Sequence, residues 1–247
     1  MLASWLKNHF PLVWKTVFAA SALPGVVLLG LFAAGDTGPN PLALLLHTTG
    51  RSSLVLLAIT LAVTPLRRLL TDASRFTNRR YGKRLSDWNW LIRLRRPLGL
   101  WCFAYAIAHA WIYCAFDLGY DWSAAWTELR EKPYLLAGLA GLVLLAVLAA
   151  TSTHRMIRRL GRHWRSLHRL TYAVAVLGLL HFWWMTKPGL WRPWPDTLAL
   201  GLLLGYRLAL FGGLLERWDG FDGRDSQERK PGGARPSTTP QFLESTA

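Results

Sequence analysis

Acidic residues and cysteines are what this chain has least of. Fourteen Asp and Glu stand against 29 Lys and Arg, for a net charge of +15, and there are two cysteines in 247 residues. Cys102 and Cys114 fall twelve residues apart in one apolar run, which on a helix separates them by ~18 Å, too far for a disulfide. Their expected role is that of small buried hydrophobes. The sequence has no CxxC pair of the kind that holds zinc or an iron–sulfur cluster, and no Gly-rich nucleotide fingerprint between a strand and a helix. Without such a fingerprint the chain is not expected to take hydride from a nicotinamide unaided. A basic balance is common in nucleic-acid binders, but here the basic residues lie between apolar runs and form no basic soluble domain, so nucleic acid is not an expected partner.

What is present is apolar length. Hydrophobic residues make up 52 % of the chain, charged residues 17 %, and Trp occurs 14 times. Uncharged runs cover Val17–Gly35, Ser52–Leu66, Pro97–Phe116, Pro133–Thr153, Leu170–Thr186 and Thr197–Leu215, the last broken only by Arg207. A helix needs roughly 20 mostly apolar residues to span a bilayer, so six spans are expected. The second is the shortest, and Arg51 and Arg67 at its ends can snorkel to the two interfaces. The first run is longer than the ~7–15 apolar residues of a signal-peptide core and is read as a span.

Charge sets the orientation. Segment 67–96 holds ten Lys/Arg against Asp72 and Asp87, and segment 153–169 holds six Arg and no acid. The alternate segments 35–51, 117–132 and 187–196 together hold five Lys/Arg and six Asp/Glu. By the positive-inside rule the first set is cytoplasmic and the second faces outward. The expected fold class is therefore all-α: a polytopic membrane protein, a six-transmembrane helix bundle with both termini cytoplasmic. Residues 1–16 form a cytoplasmic N-terminal segment and 17–216 the membrane domain. Residues 217–247, rich in Gly, Pro, Ser and charge, have the composition of a disordered tail.

Seven histidines remain to be placed. His9 falls in the inner N-terminal segment, His47 just outside the second run, and His154 and His163 in an inner loop. His109 lies twelve residues past Pro97 and His181 eleven past Leu170; both runs lead outward, so their depths are ~18 and ~17 Å. Polar side chains at that depth are costly unless satisfied. One such histidine is accounted for by a hydrogen bond to a neighbouring helix. Two at one level on separate helices suit the two faces of one flat metallocofactor. Haem iron takes imidazole as an axial ligand, and a bis-imidazole site, with no open position, suits electron transfer. A proton relay or metal-ion path is the alternative.

His168, thirteen residues before His181 and so ~20 Å nearer the inner face, is either a ligand of a second haem or an interfacial histidine. At its level the third run offers Arg95 and Arg96, and no spacing selects His154 or His163 as its partner. Arg207 lies ten residues past Thr197, near mid-membrane, where it either pairs with a haem propionate or snorkels inward. The stretch HFWWMTKPGLWRPW (181–194) reads as an outer aromatic belt containing Trp183, Trp184, Trp191 and Trp194.

Four stretches, HTTGRSSLVLLAITLAVTPLRR (47–68), RRPLGLWCFAYAIAHAWIY (95–113), KPYLLAGLAGLVLLAVLAATS (132–152) and LGRHWRSLHRLTYAVAVLGLLHFWW (160–184), resemble in order the ferric reductase-like transmembrane family. Within it they are similar to the haem-binding membrane subunits of bacterial protein-methionine-sulfoxide reductase systems. That resemblance implies a b-type haem protein of the inner membrane, with one or two haems. It implies electron delivery to a periplasmic molybdopterin-containing reductase that repairs oxidised envelope proteins. It also implies FMN and a donor that is either a cytoplasmic flavin reductase or the quinone pool. The family's ligand histidines fall on His109, His168 and His181; the His47–Arg51 stretch matches too, without an assigned role. On this reading the chain converts no substrate itself and is a wire needing a partner on each side. The alternatives are a quinol-linked or ferric-reductase-type cytochrome b with another acceptor, and a histidine-using ion transporter, which would hold no haem.

Overall fold

The computed structural model describes residues 8–78, 81–186 and 193–209. The end of the sixth apolar run, Trp191 and the tail 217–247 lie outside the described residues. The chain divides into two compact units, 1–206 and 207–247, of which the first is the helical bundle. Among the described residues there is no strand.

Helix α1 (Phe10–Ala34) ends on Gly35, whose φ of +70° lets its N–H turn back to the carbonyls of Leu31 and Phe32. Helix α2 (Pro41–Phe76) starts under Asn40, whose side chain accepts from the Ala43 N–H, with Pro41 in the first turn. A 3₁₀ run (Leu85–Leu94) leads into α3 (Arg95–Ile112), which continues as a π turn over Tyr113–Asp117. Then come α4 (Trp122–Glu131), α5 (Pro133–Ala150), the short α6 (His154–Leu160) and α7 (Arg162–Leu167), α8 (Leu170–Met185) and α9 (194–209). Among the described residues four segments are long and apolar enough to cross a membrane: Phe10–Ala34, Pro41–Phe76, Leu85–Asp117 and Pro133–Ala150. Helix α8, 16 residues long, reaches ~24 Å.

Two antiparallel helix pairs organise the bundle. In the first, Leu46 of α2 lies against His109 of α3, Ser53 against Cys102, and Thr64 against Arg95. In the second, Tyr134 of α5 lies against His181 of α8, Gly141 against Leu177, and Ser152 against His168. Lipid is as apolar as leucine, so helices associate through close approach and hydrogen bonds and not through burial of oil. The Ser53 hydroxyl accordingly donates to the Cys102 carbonyl at 3.0 Å, with Cys102 fully buried. Large apolar side chains such as Leu29, Leu69 and Leu202 remain exposed, as a lipid-facing surface requires. Both cysteines are free.

The Arg-rich segment between α2 and α3 is more than a connector. Helix α2 is 36 residues long: it begins eleven residues before the second apolar run, so His47 lies within it, and it continues ten residues past that run. Trp88, Leu91 and Leu94 of the 3₁₀ run are buried in the core. Arg67, expected to snorkel, instead donates from Nε to the Trp88 carbonyl at 3.1 Å and from Nη2 to that of Leu85 at 3.0 Å. Those bonds supply partners for backbone carbonyls of the 3₁₀ run, which composition alone did not show. The outer segment 117–132 likewise contains α4, capped by Asp121, which accepts from the N–H groups of Ser123 and Ala124.

Helix α1 is tied to α3 at Pro24. A proline inside a helix removes one N–H and opens the ladder beside it. There the Tyr105 hydroxyl donates to the Ser21 carbonyl at 3.0 Å and accepts from the Gly25 N–H at 3.0 Å. Tyr105→Phe, which leaves both backbone groups without this partner, is expected to destabilise the detergent-solubilised protein by about 1–2 kcal/mol, read from its unfolding midpoint; an unchanged midpoint would show that α1 does not need the bridge.

Candidate functional site

His109 is carried by α3 and His181 by α8, one helix from each antiparallel pair. Their ring centroids are 6.0 Å apart and the ring planes are perpendicular. The Nδ1 of His109 donates to the Leu46 carbonyl on α2 at 3.0 Å, and that of His181 to the Tyr134 carbonyl on α5 at 2.7 Å. A carbonyl only accepts, so each Nδ1 carries the proton and each neutral ring keeps its Nε2 lone pair. Among the described residues neither Nε2 makes a hydrogen bond.

Each ring rests on a glycine four residues past its acceptor carbonyl. A Cβ on Gly50 would lie 3.1 Å from the His109 Nδ1, and one on Gly138 would lie 2.7 Å from the His181 Nδ1. A glycine inside a helix costs ~1 kcal/mol relative to alanine; here it leaves the gap into which the imidazole fits. The same device, a carbonyl at one position and a glycine one turn on, therefore seats both histidines. Neither glycine was singled out in the sequence, where the available signal was a glycine interrupting an apolar helical run.

The two histidines line a cavity of about 560 Å³ whose walls are mainly carbon, among them Leu57, Ala106, Leu142 and Val174. That volume is in the range of cofactor and ligand sites. The two ring centres, 6.0 Å apart, are close enough for both histidines to serve one metal group. Among the described residues no group of three or more His, Cys, Asp or Glu side chains is placed to hold a metal ion. Two imidazoles alone leave a bare ion short of ligands, whereas a porphyrin supplies the other four and haem fits the donor set.

His168 stands apart from this pair. Its ring stacks on Trp164, with centroids 4.0 Å apart, and its Nδ1 donates to the Trp164 carbonyl at 3.2 Å. Its Nε2 is 3.4 Å from the Ser152 hydroxyl. Burial pushes its pKa below the ordinary 6.5, and the Trp164 carbonyl acts in the opposite direction. No second imidazole is brought against it: His154 pairs with the Arg96 guanidinium at 2.8 Å, and His163 is exposed. Arg207 is half-buried in α9 and belongs to the second compact unit. His47, which the sequence leaves without a role, and Arg51, expected there to snorkel to an interface, both line the His109–His181 cavity.

The family profile described as ferric reductase like transmembrane component matches residues 49–179. Among similar proteins is a protein-methionine-sulfoxide reductase heme-binding subunit MsrQ of Ralstonia nicotianae, 43 % identical over 68 % of this chain and 70 % of the relative. A protein of the same description from Rhodospirillum rubrum is 38 % identical over 83 % of this chain and 91 % of the relative. One from Xanthomonas oryzae pv. oryzae is 35 % identical over 93 % and 96 %.

A methyl group at either glycine should push its imidazole off its carbonyl. Mutations of the groups that orient a metal-bound histidine typically weaken binding ~10–100-fold. Gly138→Ala, the tighter contact, is expected to lower haemin affinity by roughly that factor and Gly50→Ala by less, measured by titrating the apoprotein and following the Soret band. Equal, wild-type affinity in both variants would refute the seating role.

Proposed function

The chain belongs to the ferric reductase-like transmembrane family and, within it, to the MsrQ subunits, and from that membership we propose that it carries electrons through haem b across the bacterial inner membrane. The observation that supports this most directly is the approach of the His109 and His181 rings to 6.0 Å, each with Nδ1 committed to a backbone carbonyl. His109 and His181 would hold the haem iron through their Nε2 atoms. When bound, the haem supplies a one-electron iron couple.

The chain's own residues do the rest. Two imidazoles from separate helices would hold the haem in a way that suits passing electrons more than binding oxygen or a substrate. The Leu46 and Tyr134 carbonyls hold the ligand tautomer and raise the basicity of each Nε2. The carbon-lined walls keep the site dry, which limits the reorganisation that accompanies a change of charge. The glycines keep both rings at a fixed separation.

The chain crosses the membrane six times with both termini in the cytoplasm, a reading supported by the 16 Lys/Arg of segments 67–96 and 153–169. Electrons would enter at that Arg-rich end from a reduced flavin or a quinol, and the arginines there would hold the phosphate of FMN. They leave at the opposite end to a periplasmic molybdopterin-containing reductase that restores oxidised methionines of envelope proteins. His168, half-buried on the Arg-rich side, would hold a second haem.

Purified protein is expected to show a b-type spectrum on dithionite reduction. His109→Ala or His181→Ala should abolish the main signal, and a pyridine-haemochrome count falling from two to one in His168→Ala would establish the second site. Full haem retention in either of the first two variants would sink the ligand assignment, and a colourless folded protein would favour a histidine-using transporter.

A further inference from the structure

Helix α2 brings more than a carbonyl and a glycine to the cavity. His47 follows Leu46 and Arg51 follows Gly50, so the two lie one turn apart on one face, and both line the cavity wall. Among the described lining residues Arg51 is the only Lys or Arg and Asp117 the only carboxylate. Arg51 stands ten residues into α2, immediately before the second apolar run, so its guanidinium meets the cavity at the outer end of that run.

Its surroundings show how it is held. The Arg51 Nε is 3.5 Å from Asp196 Oδ2, and the Asp196 side chain is only 11 % exposed. That ion pair fixes one edge of the guanidinium. A guanidinium has five N–H donors in a planar fork, and among the described residues the structure gives Arg51 no other hydrogen bond or ion pair. The Nη groups can therefore still grip a second carboxylate in the two-point manner for which arginine is suited.

We infer that Arg51, oriented by Asp196, is the anchor for a propionate of the haem held between His109 and His181. The inference rests on the haem reading of the cavity. It gives a role to the His47–Arg51 stretch that the ligand geometry leaves without one, since neither residue touches the ring nitrogens. It also separates two tasks on α2: Leu46 and Gly50 seat a ligand, and Arg51, one residue on, reads the edge of the macrocycle.

The test compares two porphyrins on the full-length apoprotein in detergent: haemin and haemin dimethyl ester, whose propionates carry no charge. Wild-type protein should bind haemin roughly 10-fold or more tightly than the ester, the size of one charged hydrogen-bonded contact. Arg51→Gln should weaken haemin binding by that factor and leave the ester unchanged, so the ratio collapses towards one. Uptake of the ester also reports that the variant is folded. Arg51→Lys, which keeps the charge and loses the fork, should give a ratio between the two, and it decides the matter if Arg51→Gln cannot be purified. A wild-type ratio in either variant overturns the assignment. Wild-type protein that takes up neither porphyrin overturns the haem reading itself, and this inference falls with it.

Discussion

Inside a bilayer a ring N–H has no water to bond, so it must find an acceptor within the protein. The two bonds from His109 and His181 to the carbonyls of Leu46 and Tyr134 meet that demand, and much of the rest depends on them. They require each histidine-bearing helix to lie directly against a partner, close enough that a helix carbonyl can take a second hydrogen atom. Close approach in turn requires a residue without a side chain at the contact, which is what Gly50 and Gly138 provide. The same bonds leave both Nε2 atoms as lone-pair donors, so the constraint that stabilises the bundle also prepares the site.

The bundle is accordingly built from two equivalent halves. α2 with α3 and α5 with α8 are antiparallel pairs, each a glycine-bearing helix against a histidine-bearing one. The cavity lies where the two histidine faces meet. Packing in lipid rewards small residues and hydrogen bonds at such contacts, and the Ser53–Cys102 contact and the Tyr105 bridge at Pro24 follow the same rule. Arg51 departs from it: a charge placed at the cavity wall and balanced by Asp196 adds nothing to helix packing that a leucine would not. From that position it can meet an anionic group in the cavity.

Particular residues show how far the amino-acid order could be read. Depths counted along two apolar runs put His109 and His181 at one level, and their rings are found 6.0 Å apart. The spacing of the cysteines correctly ruled out a bridge. Counting could not show the long α2, because Arg67 ended the uncharged run while the helix continued ten residues further, its arginine occupied by carbonyls of the 3₁₀ run. Nor could it show which histidine stands opposite His168, and the fold places a tryptophan there.

Residue order was enough to establish that the chain is helical and apolar enough for a membrane, which ends carry the arginines, and which histidines lie deep. Those properties come from composition and from the fixed rise of a helix, and both are local. The facing of the deep histidines, their seating by glycines on other helices, and the position of Arg51 on the cavity wall beside Asp196 emerged with the folded bundle alone. These depend on which helix faces meet and at what register, and in lipid, where every outward face is equally oily, hydropathy carries no information about that choice.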